Sequence, residues 1–402
     1  MLTSDHIGIK NFLTLRYNPN EKPPLSRINE NFFTNSNFDE NGLITEKLLK
    51  KNISNSLKKY EEPFVISLSS GIDSSLTLGL IRNIFPKKEI IAICGVFNSL
   101  QNEAKQAKKI ANEFNAEFIE LQMDSIFKNM PKIISITSKP RWNTYTHLIA
   151  NEAKKFGRIL ITGDGADEVF GGYTFRYSKF LKLTKPNQSA LSKTKNYLEC
   201  HNRDWVPDQN SLFHKNMKFN WDDIYEHLKP NFSNNLDLLN QVISADFNGK
   251  LIYDFIPTGN SIAEHYNLVR FSPFLKSEVI KFGLGLTSSQ KFNEKSQIGK
   301  LTLRQISQRM NIPHINDKRG FSPDLWLDWN NFGKKISLEF LLDETSQIYK
   351  QKIINYNWIE NNLEKITHDG DMRYLSRFIS IFALEVWLKI FSTNEISKET
   401  IL

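Results

Sequence analysis

Two short stretches of this chain carry side chains whose types and spacing could handle a nucleotide. The first, Ser69-Ser70-Gly71-Ile72-Asp73-Ser74-Ser75, gathers serine hydroxyls and one carboxylate around a single glycine. Such a turn at a helix N-terminus presents backbone N–H groups where the helix dipole favours an anion, and nucleotide phosphates are the fitting guest. The second, Gly163 to Tyr173, sets Asp164, Asp167 and Glu168 close together among Gly and Ala. Carboxylates so crowded repel one another unless a cation sits among them. Magnesium on a nucleotide phosphate asks for a few such oxygens, with waters and phosphate completing its octahedron. An acidic loop alone is more simply a solvated surface loop. Its pairing with a phosphate-cradling turn gives both stretches a shared chemistry.

Each stretch needs a strand to deliver it and a helix to receive it. Phe64-Val65-Ile66-Ser67-Leu68 and Arg158-Ile159-Leu160-Ile161-Thr162 are short apolar runs that read as buried parallel strands. The pattern predicts a helix from Leu43 to Lys59, strand 64–68, helix 74–85, strand 90–97 and helix 101–115. It continues with strand 117–121, helix 143–156 and strand 158–162. Strands alternating with helices of this length imply parallel βαβ units and an α/β, doubly wound sheet with ligands at its carboxyl edge. Beyond Tyr173 the β signal fades, and helical periodicity rich in aromatic residues runs to the end, as in Leu375 to Phe391. Residues 1–42 hold one predicted strand, Phe12 to Tyr17, and are too few to bury a core. They are expected to drape over the main domain.

Composition narrows the class. With 402 residues, 40% hydrophobic and 24% charged, the chain reads as an ordinary soluble globular protein. The formal charge of +8 invites a nucleic-acid partner, but the lysines are scattered along predicted amphipathic helices, as in Lys47 to Lys51 and Lys105 to Lys109. They read as solvated helix faces, which argues against nucleic acid and leaves a basic surface that would gather ATP and an acidic substrate. Two cysteines, Cys94 and Cys200, are too few for a disulfide framework or a structural zinc site. No apolar stretch reaches membrane-spanning length and no signal-peptide core stands at the N-terminus, so the expected location is cytoplasmic with no membrane partner.

The two stretches resemble the motifs of the asparagine synthetase family. The segment Gly163-Asp164-Gly165-Ala166-Asp167-Glu168-Val169-Phe170-Gly171-Gly172-Tyr173 is similar to the family's acidic motif at every position. Ser69 to Ser75 resembles its pyrophosphatase loop, with Ser70 where the family has Gly, a change that fits if the local φ is negative. Val269-Arg270-Phe271-Ser272-Pro273-Phe274-Leu275, Gly299-Lys300-Leu301-Thr302-Leu303-Arg304 and Lys318-Arg319-Gly320-Phe321-Ser322-Pro323 resemble further family segments in the same order. The resemblance implies the adenine nucleotide α-hydrolase-like (PP-loop) fold over residues 43–335, followed by a helical extension, 336–402.

What the resemblance implies for chemistry is an ATP-dependent amide ligase. A carboxylate attacks the α-phosphate of ATP, pyrophosphate leaves, and an amine then displaces AMP from the acyl-adenylate. Leu68, Ser69, Ser70, Gly71, Asp73, Ser74 and Ser75, with Gly163, Asp164 and Gly165, would bind ATP and its pyrophosphate. Asp73 and Asp167 would hold Mg2+, with Glu168 orienting that shell. Lys300 would be the catalytic cation, supported by Arg304 one helical turn away, while Arg270 and Arg319 divide between ion pairs and phosphate contact. Three departures stand out. The glutaminase domain headed by a cysteine is expected to be absent, so the nitrogen would come from free ammonia, an amine, or a separate glutaminase or amine-delivering subunit. Leu268 stands where the family has Glu, with Glu264 the expected substitute from one turn away. Thr258-Gly259 replaces an Asp-Arg pair. Aspartate is the default acid. The rival readings are a cyclising or biosynthetic ligase of the β-lactam or lasso-peptide type, a tRNA-modifying PP-loop enzyme, and an ATP-binding subunit without catalysis.

Overall fold

The computed structural model describes residues 6–34, 36–97, 101–201, 205–315, 323–367 and 370–402. Five strands, β1 (Phe64–Ser67), β2 (Ile90–Val96), β3 (Glu117–Gln122), β4 (Ile159–Ile161) and β5 (Val269–Phe271), form one parallel sheet in the order β3-β2-β1-β4-β5. The doubly wound α/β sheet expected from the sequence is therefore present. Side chains alternate between its faces. Val65, Ile91, Ile93 and Leu160 pack against helices His147–Ala153 and Ile256–His265. Phe64, Ile66, Ala92 and Ile161 pack against helices Leu43–Leu57, Ile72–Ile84 and Gln101–Glu113. Burial on both faces is why these strands read as unbroken apolar runs. The strand order reverses between β1 and β4, the crevice where open α/β sheets bind ligands.

The expected strands up to 162 fall within one or two residues of the observed ones. Cys94 is buried in β2 as a small hydrophobe. Three expectations are corrected. Phe12 to Tyr17 is not a strand: His6–Leu15 is a helix, because Ile9 and Leu13, one turn apart, seat on the core of the C-terminal helices with Trp329 and Phe378. The helix expected over 143–156 is shorter, His147–Ala153, and a helix not expected, Met130–Thr137, precedes it. The β signal does not end at Tyr173: β5 closes the sheet edge against β4, and a short hairpin, β6 (Phe292–Asn293) with β7 (Ile298–Gly299), delivers the next functional segment. No helix among the described residues is long and apolar enough to cross a membrane.

Helix His147–Ala153 contributes a pH-sensitive core residue. His147 is buried, with Nδ1 3.0 Å from the Tyr266 hydroxyl. Burial first, then Lys132 and His265, push its pKa down to about 4. The unfolded chain protonates first, near pH 6.5, so stability is full above that value and falls as pH drops towards 4. Replacing His147 with Gln is expected to remove ~2 kcal/mol of the stability difference between pH 7 and pH 5. Denaturant titrations at the two pH values would check it.

Candidate active site

The loop after β1 folds onto itself through its hydroxyls. Ser74 Oγ accepts from the Ser69 N–H at 3.0 Å, lies 2.9 Å from Ser69 Oγ, and is 3.0 Å from the Ser69 carbonyl. Ser75 Oγ donates to the Gly71 carbonyl at 2.9 Å. With the hydroxyls turned inward, no side chain caps helix Ile72–Ile84 at Gly71, and its first N–H groups keep their affinity for an anion. Ser70 is buried and is not among the residues with positive φ, so serine fits where glycine was expected. Its carbonyl accepts from the Ile315 N–H at 2.9 Å, tying the loop to the segment after helix Leu301–Arg309.

The loop after β4 lies directly against it. A Cβ on Gly163 would stand 2.8 Å from the Asp73 Cβ, so the absence of a side chain there lets the two loops touch. Gly165, at φ +87°, starts helix Ala166–Phe170, and Gly171, at φ +77°, ends it. L side chains adopt such angles at a cost, which explains both glycines. Gly172 serves another need. A Cβ there would fall 1.8 Å from Asp167 Oδ1 and 2.2 Å from Lys300 Cε.

Lys300 completes the cluster. It stands between β7 and helix Leu301–Arg309 at φ +54°, a strained angle for a residue with a side chain. The turn aims Nζ between two carboxylates, 2.6 Å from Asp73 Oδ2 and 2.7 Å from Asp167 Oδ1. Burial would lower the pKa of this ammonium, yet Asp167 and Asp73 outweigh it and hold the group above the ordinary lysine value. Three chain segments thus meet at one charged point beside the carboxyl ends of β1 and β4.

Among the described residues no three or more His, Cys, Asp or Glu side chains form a metal cage. Magnesium does not ask for one, since one or two carboxylates plus substrate phosphates suffice. Asp73 and Asp167 are hard oxygen donors that already share one cation, and Gly172, lacking a Cβ, lets Asp167 and Lys300 pack against its backbone. The pair fits the ion. Glu168 fits it less well. It is buried, accepts from the Tyr173 hydroxyl at 2.6 Å, and has its pKa raised to about 8 by burial and by Asp167. Its carboxylate is engaged by the Tyr173 hydroxyl, and this residue positions Tyr173 beside the pair.

The remaining candidates separate. Asp164 accepts from Thr162 Oγ1 and pairs with Arg270. Burial opposes its ionisation, but Arg270 and the Thr162 hydroxyl hold its pKa below the usual carboxylate value. Arg270 also lies against Gly259, where a Cβ would come within 2.5 Å of its Cζ, which gives the Thr258-Gly259 departure a steric reason. Arg304 donates from Nε to the Gly299 carbonyl at 2.9 Å, bracing the turn that carries Lys300. Glu264 is not brought to the cluster. Its exposed side chain stands in the last turn of Ile256–His265, and the chain reverses from there through Leu268 to enter β5 beside Arg158, at the sheet's amino edge. Glu264 thus stands apart from the Asp73–Lys300–Asp167 cluster. Arg319 and its neighbours 316–322 lie outside the described residues.

One contributor was missed in the sequence. Ser307 Oγ donates to the Ile312 carbonyl at 2.6 Å, so it accepts from His314 Nδ1 at 2.9 Å. His314 Nε2 is then left to accept from Arg304 Nη1 at 3.3 Å. A lone histidine after a helix gives no sequence signal of such a role.

The asparagine synthase family profile matches residues 45–389. Over 132 residues the chain is 30% identical to the glutamine-hydrolyzing asparagine synthetase 1 of Bacillus subtilis, a stretch covering 31% of this chain and 21% of that protein. It is 24% identical over 154 residues to the NH3-dependent NAD+ synthetase of Malacoplasma penetrans, covering 36% of this chain and 60% of that one. The chain thus spans 21% and 60% of these relatives' own lengths. Among solved structures, the U34-tRNA thiolase of Methanococcus maripaludis aligns at 11% identity and TM-score 0.31, over 85% of this chain and 79% of that one.

Proposed function

The chain belongs to the asparagine synthase family, and from that premise we propose that it is an ATP-dependent, AMP- and pyrophosphate-forming amide ligase. The observation that carries this reading is Lys300 held between Asp73 and Asp167 at the carboxyl edge of β1 and β4. An acid's carboxylate oxygen attacks the α-phosphorus, and the bond to the pyrophosphate oxygen breaks. The loop 69–75 holds the departing pyrophosphate through its helix N-terminus, and Lys300 offers a positive charge where negative charge gathers in the transition state. Magnesium, when bound with the nucleotide at Asp73 and Asp167, supplies charge neutralisation on the leaving group. The amine nitrogen then attacks the acyl carbon, and AMP leaves with the electron pair of the cleaved C–O bond.

Aspartate is the default acid, and ammonia or an amine is the nitrogen donor. A separate glutaminase or amine-delivering subunit is compatible with this reading. A specific observation favours a second acid. Leu268, in place of the family's Glu, is buried beside the sheet's amino edge, and Glu264 stands apart from the charged cluster.

Exchange of labelled pyrophosphate into ATP tests both readings. Aspartate-dependent exchange that disappears in Asp73→Asn supports asparagine formation. Exchange driven by another acid, and silent in the same variant, supports a ligase for that acid. ATP binding with no exchange for any acid tried would overturn the ligase reading and leave a nucleotide-binding subunit.

A further inference from the structure

We propose that Lys300 is an internal counter-ion that occupies the divalent-metal position between Asp73 and Asp167 until nucleotide arrives, so that metal and ATP enter only together. The inference rests on the nucleotide-binding reading given above. It starts from geometry: one ammonium lies 2.6 Å from Asp73 Oδ2 and 2.7 Å from Asp167 Oδ1, and its residue is only 8% exposed. These are the two carboxylates that fit a magnesium ion. An ammonium and a divalent cation cannot share them, because like charges a few ångströms apart repel strongly away from bulk water.

The side chain has little freedom to make room while both carboxylates hold it. Its Cε is walled by Gly172, where even a methyl group would stand 2.2 Å away. Its backbone is fixed at φ +54° by the hairpin on one side and the helix on the other. Departure must therefore be drawn by a competing anion. The phosphates of ATP are such an anion: they accept the ammonium's hydrogen bonds and bring oxygen ligands that make up for the few the protein offers. Nucleotide moves Lys300 from carboxylate to phosphate, and the vacated carboxylates take the metal. By linkage, nucleotide must raise metal affinity and metal must raise nucleotide affinity by the same factor.

Manganese binding followed by electron paramagnetic resonance tests this without any turnover. Wild-type protein is expected to bind Mn2+ weakly alone and at least ~10-fold more tightly with a non-hydrolysable ATP analogue. Lys300→Gln, which removes the charge and keeps most of the bulk, is expected to bind Mn2+ without nucleotide at least ~10-fold more tightly than wild type. That gain should vanish in Asp73→Asn/Lys300→Gln. Thermal melting gives a second readout: Mn2+ should raise the Tm of Lys300→Gln and leave nucleotide-free wild type unmoved. Equal Mn2+ affinity in nucleotide-free wild type and Lys300→Gln would overturn the proposal. So would a gain that persists in the double variant. If the wild type bound no ATP analogue at all, the ligase reading would fail, while the nucleotide-free comparison would still decide the role of Lys300.

Discussion

Gly172→Ala is expected to lower the rate of pyrophosphate exchange by at least ~10²-fold while leaving the protein folded. Displacements of about 1 Å in positioning groups carry losses of that order. The new methyl would fall 1.8 Å from Asp167 Oδ1 and 2.2 Å from Lys300 Cε, so the acid, the lysine or both must move. Backbone strain does not enter, because Gly172 is not among the positive-φ glycines. The Gly172 N–H donates to the Asp167 carbonyl at 2.8 Å, which keeps the loop closed on the site and directs the clash into the side chains. Comparing Gly172→Ala with Gly165→Ala separates the effects. The latter meets Leu275 and strains a φ of +87°, so it should lose Tm as well as rate. A Gly172→Ala enzyme with wild-type exchange would show that the packing of Asp167 and Lys300 against Gly172 does not govern the reaction.

Lys300→Met is expected to lose about 10²–10³-fold in exchange rate, the range seen when one preorganised electrostatic group is removed from a transition state. Met keeps the length of the stem and removes the charge. Lys300→Arg is expected to fail nearly as badly. The guanidinium is a wide planar fork, whereas the turn beside Gly172 carries a compact ammonium as a point charge. The measurement is single-turnover formation of AMP at saturating ATP, so that a change in nucleotide affinity does not stand in for a change in chemistry. Retention of rate in Lys300→Met would remove this residue from the catalytic step.

The half of the fold that carries the nucleotide loops was legible in the residues because its strands are buried on both faces and flanked by helices of ordinary length. Phe64 to Ser67 and Ile90 to Val96 could hardly be anything else. β5 was not legible as a strand: it is three residues long, Val269 is 41% exposed, and only its pairing with β4 marks it. The N-terminal helix was misread because Phe12, Leu13 and Leu15 suit either period, and what decides is a C-terminal core more than 300 residues away in sequence. At the site, Asp73 and Asp167 stood out by type and spacing, whereas Lys300 stood out only through a family motif, since lysine is common on any surface. The Arg270–Asp164 pair, the Gly172 contact and the His314 link to Arg304 depend on how separate loops abut. No local pattern encodes that.

The meeting of Asp73 with Lys300 has a consequence in time. The two residues are 227 positions apart. At ~5–20 residues per second of synthesis, a ribosome needs on the order of 10–45 s to travel between them. Through that interval the nascent sheet carries its acids without the lysine that neutralises them, and β4 waits for β5 to cover its open edge. The growing chain therefore passes through a stage with an exposed strand edge and an uncompensated anionic crevice. That stage is where a chaperone or a stray divalent cation has its best opportunity to engage this protein.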